Sequence, residues 1–153
     1  MIQESIRMLI DDLLLASGSQ VKVNLEEHFP GDRFAGGKYS MGSNTITLYI
    51  EEIKQQCLQL FSSLDHFMDY LAVVFAHEIG HAEDKELMAL ADKMDESLNE
   101  RERQEIALQI EENAWEYAVQ LLPHLNPDFV YEIIENSLEP YWEQLEQEPA
   151  LFK

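Results

Sequence analysis

The sequence predicts an α+β fold, with a small sheet of about three strands packed on a mostly helical body. Three observations carry this. Strand-like alternation is confined to residues 21–50. From Glu51 onward the apolar residues recur at helical spacing. No repeat, low-complexity tract or linker divides the 153 residues, a length that suits one domain, 1–153, with a core of its own.

The first element is an amphipathic helix from Glu4 to Ala16, with Ile6, Leu9, Ile10, Leu13 and Leu14 on one face and Ser17-Gly18-Ser19 as its stop. Val21 to Leu25 alternates as a short strand. Pro30-Gly31-Asp32 signals a turn, and Arg33 to Tyr39, with Gly36-Gly37, reads as either a bulged strand or a loop. Thr45 to Ile50 is the best strand: β-rich, alternating, and preceded by Gly42-Ser43-Asn44. Helices follow at about 51–61, 64–83, 85–97, 101–122 and 127–146. Pro140 falls inside the last of these, where the lost backbone donor predicts a start, a kink or an end.

Composition excludes several functions. Ten Lys or Arg against thirty Asp or Glu give a formal charge of −20, which repels phosphate backbones and anionic membrane surfaces. Direct binding to nucleic acid or to a membrane is therefore not expected. No apolar run approaches the roughly 18 residues that span a bilayer. The N-terminus carries only Arg7 as a basic residue before Asp11-Asp12 and is a poor secretory signal, so a cytoplasmic location is expected. Cys57 stands alone, which leaves no internal disulfide and no multi-cysteine metal site.

The chemistry centres on His77-Glu78-Ile79-Gly80-His81, an H-E-x-x-H motif inside the apolar helix that begins Tyr70-Leu71-Ala72-Val73-Val74-Phe75-Ala76. Residues four apart share a helix face, so two imidazoles can reach one Zn²⁺ with bonds of about 2.0–2.1 Å. Glu78 lies about 100° around the helix from His77, on the same side, placed to touch a water held by the metal. Zinc lowers the pKa of such a water toward about 7, and Glu78 is expected to take its proton as general base. Gly80 has no side chain, so another element can pack closely there. In a Glu-rich chain such a motif can arise by chance, with both histidines as hydrogen-bonded core residues. Burying three titratable groups in so apolar a segment without a partner would nevertheless cost several kcal/mol, which a metal relieves.

A third ligand is needed. Asp84 and Leu87 occupy the places where H-E-x-x-H-x-x-G-x-x-H would put Gly and His, and His28, His66 and His124 lie in no matching motif. A downstream helical carboxylate is preferred. Ala107, Ala114 and Ala118 recur with Leu121 and Leu122 as a stripe that includes Glu111, whereas Glu112 and Glu116 fall on the polar face with Gln109, Asn113 and Gln120. Glu111 is preferred to Glu112, although a one-residue shift in helix phase exchanges them.

These two segments, His77-Glu78-Ile79-Gly80-His81 and Glu111-x-x-Ala114-x-x-Tyr117-Ala118, resemble the ImmA/IrrE-type metallopeptidases of the gluzincin group. Gly37-Lys38-Tyr39 and Ile46 to Ile50 resemble the segment before that family's metal helix, so the likeness spans about residues 35–122. It implies a small twisted sheet beside the metal helix, with His77, His81 and Glu111 as zinc ligands and Glu78 as general base. It also implies a protein substrate, often a transcriptional repressor. One position departs: family members carry Asn or Asp after the Ala of the second motif, where this chain has Trp115. Such a residue orients a ligand histidine.

The expected function is thus a zinc endopeptidase with a protein or peptide substrate. The alternative is a regulatory or protein-interaction module that keeps the fold without turnover, which Trp115 favours. The charge of −20 points to a basic, extended partner such as a DNA-binding repressor, held along the edge of the strand at 45–50. Six tyrosines, His66 and His124 are candidates for the group that stabilises the reaction's oxyanion, and the sequence does not choose among them. Met88 and Met94 read as core. The acidic run Glu139 to Glu148 reads as a solvated face, or else as a cover over the cleft with Trp142, Leu151 and Phe152 as anchors.

Overall fold

The computed structural model describes residues 2–31, 35–97 and 99–147. Their order is α1 (Ile2–Ser17), β1 (Lys22–Glu26), β2 (Gly37–Ser40), β3 (Thr45–Tyr49), α2 (Ile50–Phe61), α3 (Phe67–Ala82), α4 (Leu87–Glu96), α5 (Glu100–Leu121) and α6 (Pro127–Gln147). This is the α+β architecture expected, with the H-E-x-x-H motif on α3. Among the described residues, no helix is long and apolar enough to cross a membrane.

α1 buries Ile6, Ile10 and Leu13, one face at i, i+4 and i+7. It ends where Gly18 takes φ +71°, a left-handed conformation that costs glycine little. The sheet runs β1-β3-β2. β3 lies between β1, its parallel partner, and β2, its antiparallel partner. The segment around Gly36-Gly37 resolves as a strand, while Arg33 and Phe34 lie outside the described residues.

Two expectations about β3 are corrected. Its alternation suggested one buried face, yet Ile46, Thr47, Leu48 and Tyr49 are all buried. Nor can it hold substrate along an edge, because both of its edges are already paired. The outer strands are β1 and β2, and β2 is the one that rests against α3. The chain then passes from Tyr49 directly into α2, so Ile50 is helical rather than the last strand residue.

α3 is the hub. It contacts α1, α2, α5, β2 and β3, and buries its residues nearly all round. A helix apolar on every face belongs in the centre, and this one carries the candidate site into the middle of the molecule. α5 starts at Asn99, whose side chain accepts hydrogen bonds from the backbone N–H groups of Arg101 and Glu102 at 2.8 and 3.3 Å. It packs against α3, and the two backbones come close together at Gly80. A Cβ there would run into the Ala114 carbonyl and sit 2.9 Å from the Ala114 Cα. Asn113 ties α5 to the turn after α3, donating to Asp84 at 3.3 Å and Glu86 at 3.2 Å.

Pro140 neither starts nor ends a helix: α6 continues through it. Met94 packs partly buried against the small cluster of Leu87, Ile106 and Ile110. Met88 is corrected from core to surface, being 69% exposed. Glu139, Glu143 and Glu146 are exposed, as a solvated face requires, and Trp142 is an exposed side chain rather than an anchor. Glu148, Leu151 and Phe152 lie outside the described residues. Cys57 is buried and unpaired.

The contact at Gly80 generates a prediction. Gly80→Ala should destabilise the chain by about 1–3 kcal/mol in urea unfolding, because a backbone neighbour cannot move aside as a flexible side chain would. An unchanged midpoint would mean that α3 and α5 do not approach this closely.

Candidate metal centre

Three segments build the site. α3 supplies His77, Glu78 and His81, α5 supplies Glu111 and Trp115, and β2 closes one side. One ligand atom each from His77, Glu78 and His81 lies within 4.8 Å of the others. Glu111 reaches across from α5, its Oε1 2.9 Å from His77 Nε2 and its Oε2 3.3 Å from His81 Nε2. The side chains of His77, His81 and Glu111 keep 12%, 11% and 17% exposure, so all three remain reachable from the cleft. Glu112 is exposed. The helix phase read from the Ala stripe is therefore the phase found, and Glu111 is the carboxylate that faces the histidines.

The donor set suits zinc. Four ligands around a tetrahedral ion with bonds of 2.0–2.1 Å stand about 3.3–3.4 Å apart. The contact between Glu111 and His81 already has that length, and the shorter contact with His77 is that of a hydrogen-bonded pair. Two imidazoles and a carboxylate on facing helices are three donors that could hold a zinc ion, which takes four ligands.

Without a metal, a proton does the same electrostatic work. His77 places Nε2 2.9 Å from Glu111 Oε1 and Nδ1 3.2 Å from Glu78 Oε2, so its imidazolium form can donate to both. Burial alone would push the His77 pKa down. The hydrogen bonds to Glu111 and Glu78, together with their negative charges, outweigh that and raise it to about 9. Burial likewise works against the ionised form of Glu111, but hydrogen bonds and charge from His77 and His81 hold its carboxyl well below the usual range.

Trp115 stacks on His77, with ring centroids 4.1 Å apart and planes 20° from parallel. Its indole N–H is buried without a hydrogen-bond partner among the described residues. Sequence reasoning marked Trp115 only as a departure from a pattern. The structure shows a flat side chain fixing the imidazole plane by its face, where Asn or Asp would have used a hydrogen bond. On the other side, a Cβ at Gly37 would lie 2.9 Å from Glu78 Cγ. Glycine as the first residue of β2 therefore lets the edge strand rest directly against Glu78.

The centre opens into a cavity of about 1080 Å³. Of the tyrosines, Tyr39, Tyr70 and Tyr141 line it. Tyr39 donates to Asn44 at 2.8 Å. Burial pushes the Tyr70 phenol up to about 12, so it stays protonated, and a potential donor, at any ordinary pH. His66 sits at the start of α3 and His124 lines a separate cavity beside α1. The alternative reading of residues 139–148, a cover over the cleft, meets Pro140, Tyr141 and Gln144 on the cavity wall, whereas the contribution of α2 was missed. The available signal was a set of neutral amides, Gln56, Gln59, Asn136 and Gln144, set among glutamates. Comparison of the chain with family models, curated proteins and solved structures returns no match.

The pair makes a pH prediction for the metal-free chain. His77 is raised on folding from its ordinary 6.5 to about 9, so its contribution to stability is complete below about 6.5 and lost as pH rises through about 9. Glu111 is depressed, so its contribution is present above the ordinary carboxylate pKa and lost on acidification through the lower folded value. With a chelator present, thermal stability should fall between pH 7 and pH 10, and Glu111→Gln should show a smaller fall. Parallel profiles for the two chains would show that the pair is not formed.

Proposed function

We propose that the chain is a zinc-dependent endopeptidase, related in its site to the ImmA/IrrE-type metallopeptidases. The observation that carries this reading is the approach of Glu111 to both histidines of an H-E-x-x-H helix at the mouth of a large cleft. His77, His81 and Glu111 would hold the ion. When bound, zinc acidifies water and polarises a peptide carbonyl.

The protein's own residues account for the remaining work. Glu78 is buried, lines the cleft, and is the carboxylate left over once Glu111 is assigned to the metal. Its role is to accept a proton from the attacking water and deliver it to the departing amine. β2 supplies a free strand edge beside Glu78, along which an extended substrate can add as a further strand. Trp115 and Glu78 together fix the orientation of His77. The negative charge of the whole chain would accelerate encounter with a basic protein such as a DNA-binding repressor, through a field that salt screens over about 10 Å at 0.1 M.

A second reading has an observation of its own. Glu78 bonds the second nitrogen of His77, the contact of a residue that orients a ligand rather than one that moves protons. On that reading the chain is a regulatory zinc-binding module without turnover.

Glu78→Gln separates the two. The peptidase reading expects one zinc per chain in both wild type and variant, with cleavage of a denatured protein reduced at least about a hundredfold in the variant. Zinc-loaded wild type with no activity above Glu78→Gln would favour the module. Undiminished zinc affinity in His81→Ala would contradict both readings.

A further inference from the structure

The cleft differs in character from the surface around it. The chain carries thirty Asp and Glu. Among the described residues, however, the only carboxylates that line the cavity are Glu78 and Glu111, both part of the metal centre. Apart from the centre itself, Lys38 is the only charged side chain on its walls. α2 turns Gln56 and Gln59 into the cleft while its Glu51 and Glu52 lie elsewhere, and α6 turns Asn136 and Gln144 into it while Glu139, Glu143 and Glu146 lie elsewhere. Between the amides lie apolar surfaces such as Val74, Ile110 and Ile133. The volume of about 1080 Å³ exceeds the roughly 300–1,000 Å³ of small-molecule sites, so the cleft has room for several residues of a chain.

Resting on the peptidase reading, we propose that the cleft selects a substrate segment whose side chains are uncharged, apolar or amide, and that α2 and α6 are the walls that read it. A Lys or Arg side chain entering the cleft would give up hydration and find no wall carboxylate to pair with. An Asp or Glu side chain would meet Glu78 and the negative field of the chain. Amides on both walls can donate and accept, so they suit peptide groups and neutral polar side chains without asking for charge. Pro140 adds to this. It cannot donate to the carbonyl of Asn136, a cleft-lining residue one turn earlier, which leaves that acceptor without its usual helical partner. Attraction at long range and selection at contact are then separate: the field of −20 governs which protein approaches, and the neutral walls govern which segment of it enters.

The test is capture of a library of blocked hexapeptides on immobilised, zinc-loaded Glu78→Gln chain at 0.5 M salt, with retained sequences read by mass spectrometry. Uncharged residues should be enriched at the central positions, and Lys, Arg, Asp and Glu depleted at least about fivefold. Enrichment of either charge, retention without preference, or no retention at all would overturn the proposal. Gln59 and Asn136 are exposed, so Gln59→Glu and Asn136→Asp can be made without threatening the fold. Either change should move the preference toward Lys and Arg by about tenfold, and an unmoved preference would show that these walls do not read the substrate. The peptidase reading is judged separately, by Glu78-dependent cleavage of a denatured protein. Its failure would leave a neutral peptide-binding cleft, and its success with basic cleavage sites would reject the selectivity proposed here.

Discussion

The chemistry of this molecule depends on how closely α5 can approach α3. The two histidines sit one turn apart on α3 by helix geometry alone, but the carboxylate that completes the set comes from another helix, thirty residues further along the chain. Its carboxylate oxygens stand 2.9 and 3.3 Å from the two imidazoles because nothing larger than hydrogen separates Gly80 from the Ala114 backbone. Ala76, Ala114 and Ala118 are all fully buried. Small residues in this interface set the helix separation, and the separation sets the site.

Around that contact the charges are arranged in advance. A carboxylate lies on each side of His77, Glu78 at Nδ1 and Glu111 at Nε2, so both favour a positive charge there. A metal held by His77 would compete with a proton for its nitrogen, which would link binding to pH and to folding. Trp115 gives the arrangement rigidity, its face covering the imidazole while its own N–H has no partner among the described residues. A buried unpaired donor costs about 1–3 kcal/mol, a penalty that the stacking and the large apolar surface of the indole offset.

Much of this was legible in the sequence because it is periodic. The motif, the phase that selects Glu111 over Glu112, and the order of helices and strands all follow from spacings of two or of three to four residues. What spacing does not reveal is which strand lies between two others. Thr45 to Tyr49 reads as an alternating strand whether it sits at an edge or in the centre, and its burial on both faces depends on helices distant in sequence. Met88 was misread for a related reason: α4 packs through Leu87, Leu90 and Met94, and Met88, six residues before Met94, falls about 240° around the helix and faces outward. The partners of Trp115 and the contribution of α2 to the cleft were equally invisible, since both are contacts between elements rather than patterns within one.

The central claim is that Glu111 joins His77 and His81 on one ion. X-ray absorption at the zinc edge of the loaded chain tests it directly. The account predicts four nitrogen or oxygen neighbours at about 2.0–2.1 Å, with the outer-shell scattering of two imidazoles, and Glu111→Ala should change the first shell while both imidazoles remain. A first shell unaltered by Glu111→Ala, or scattering from fewer than two imidazoles in the wild-type chain, would contradict it.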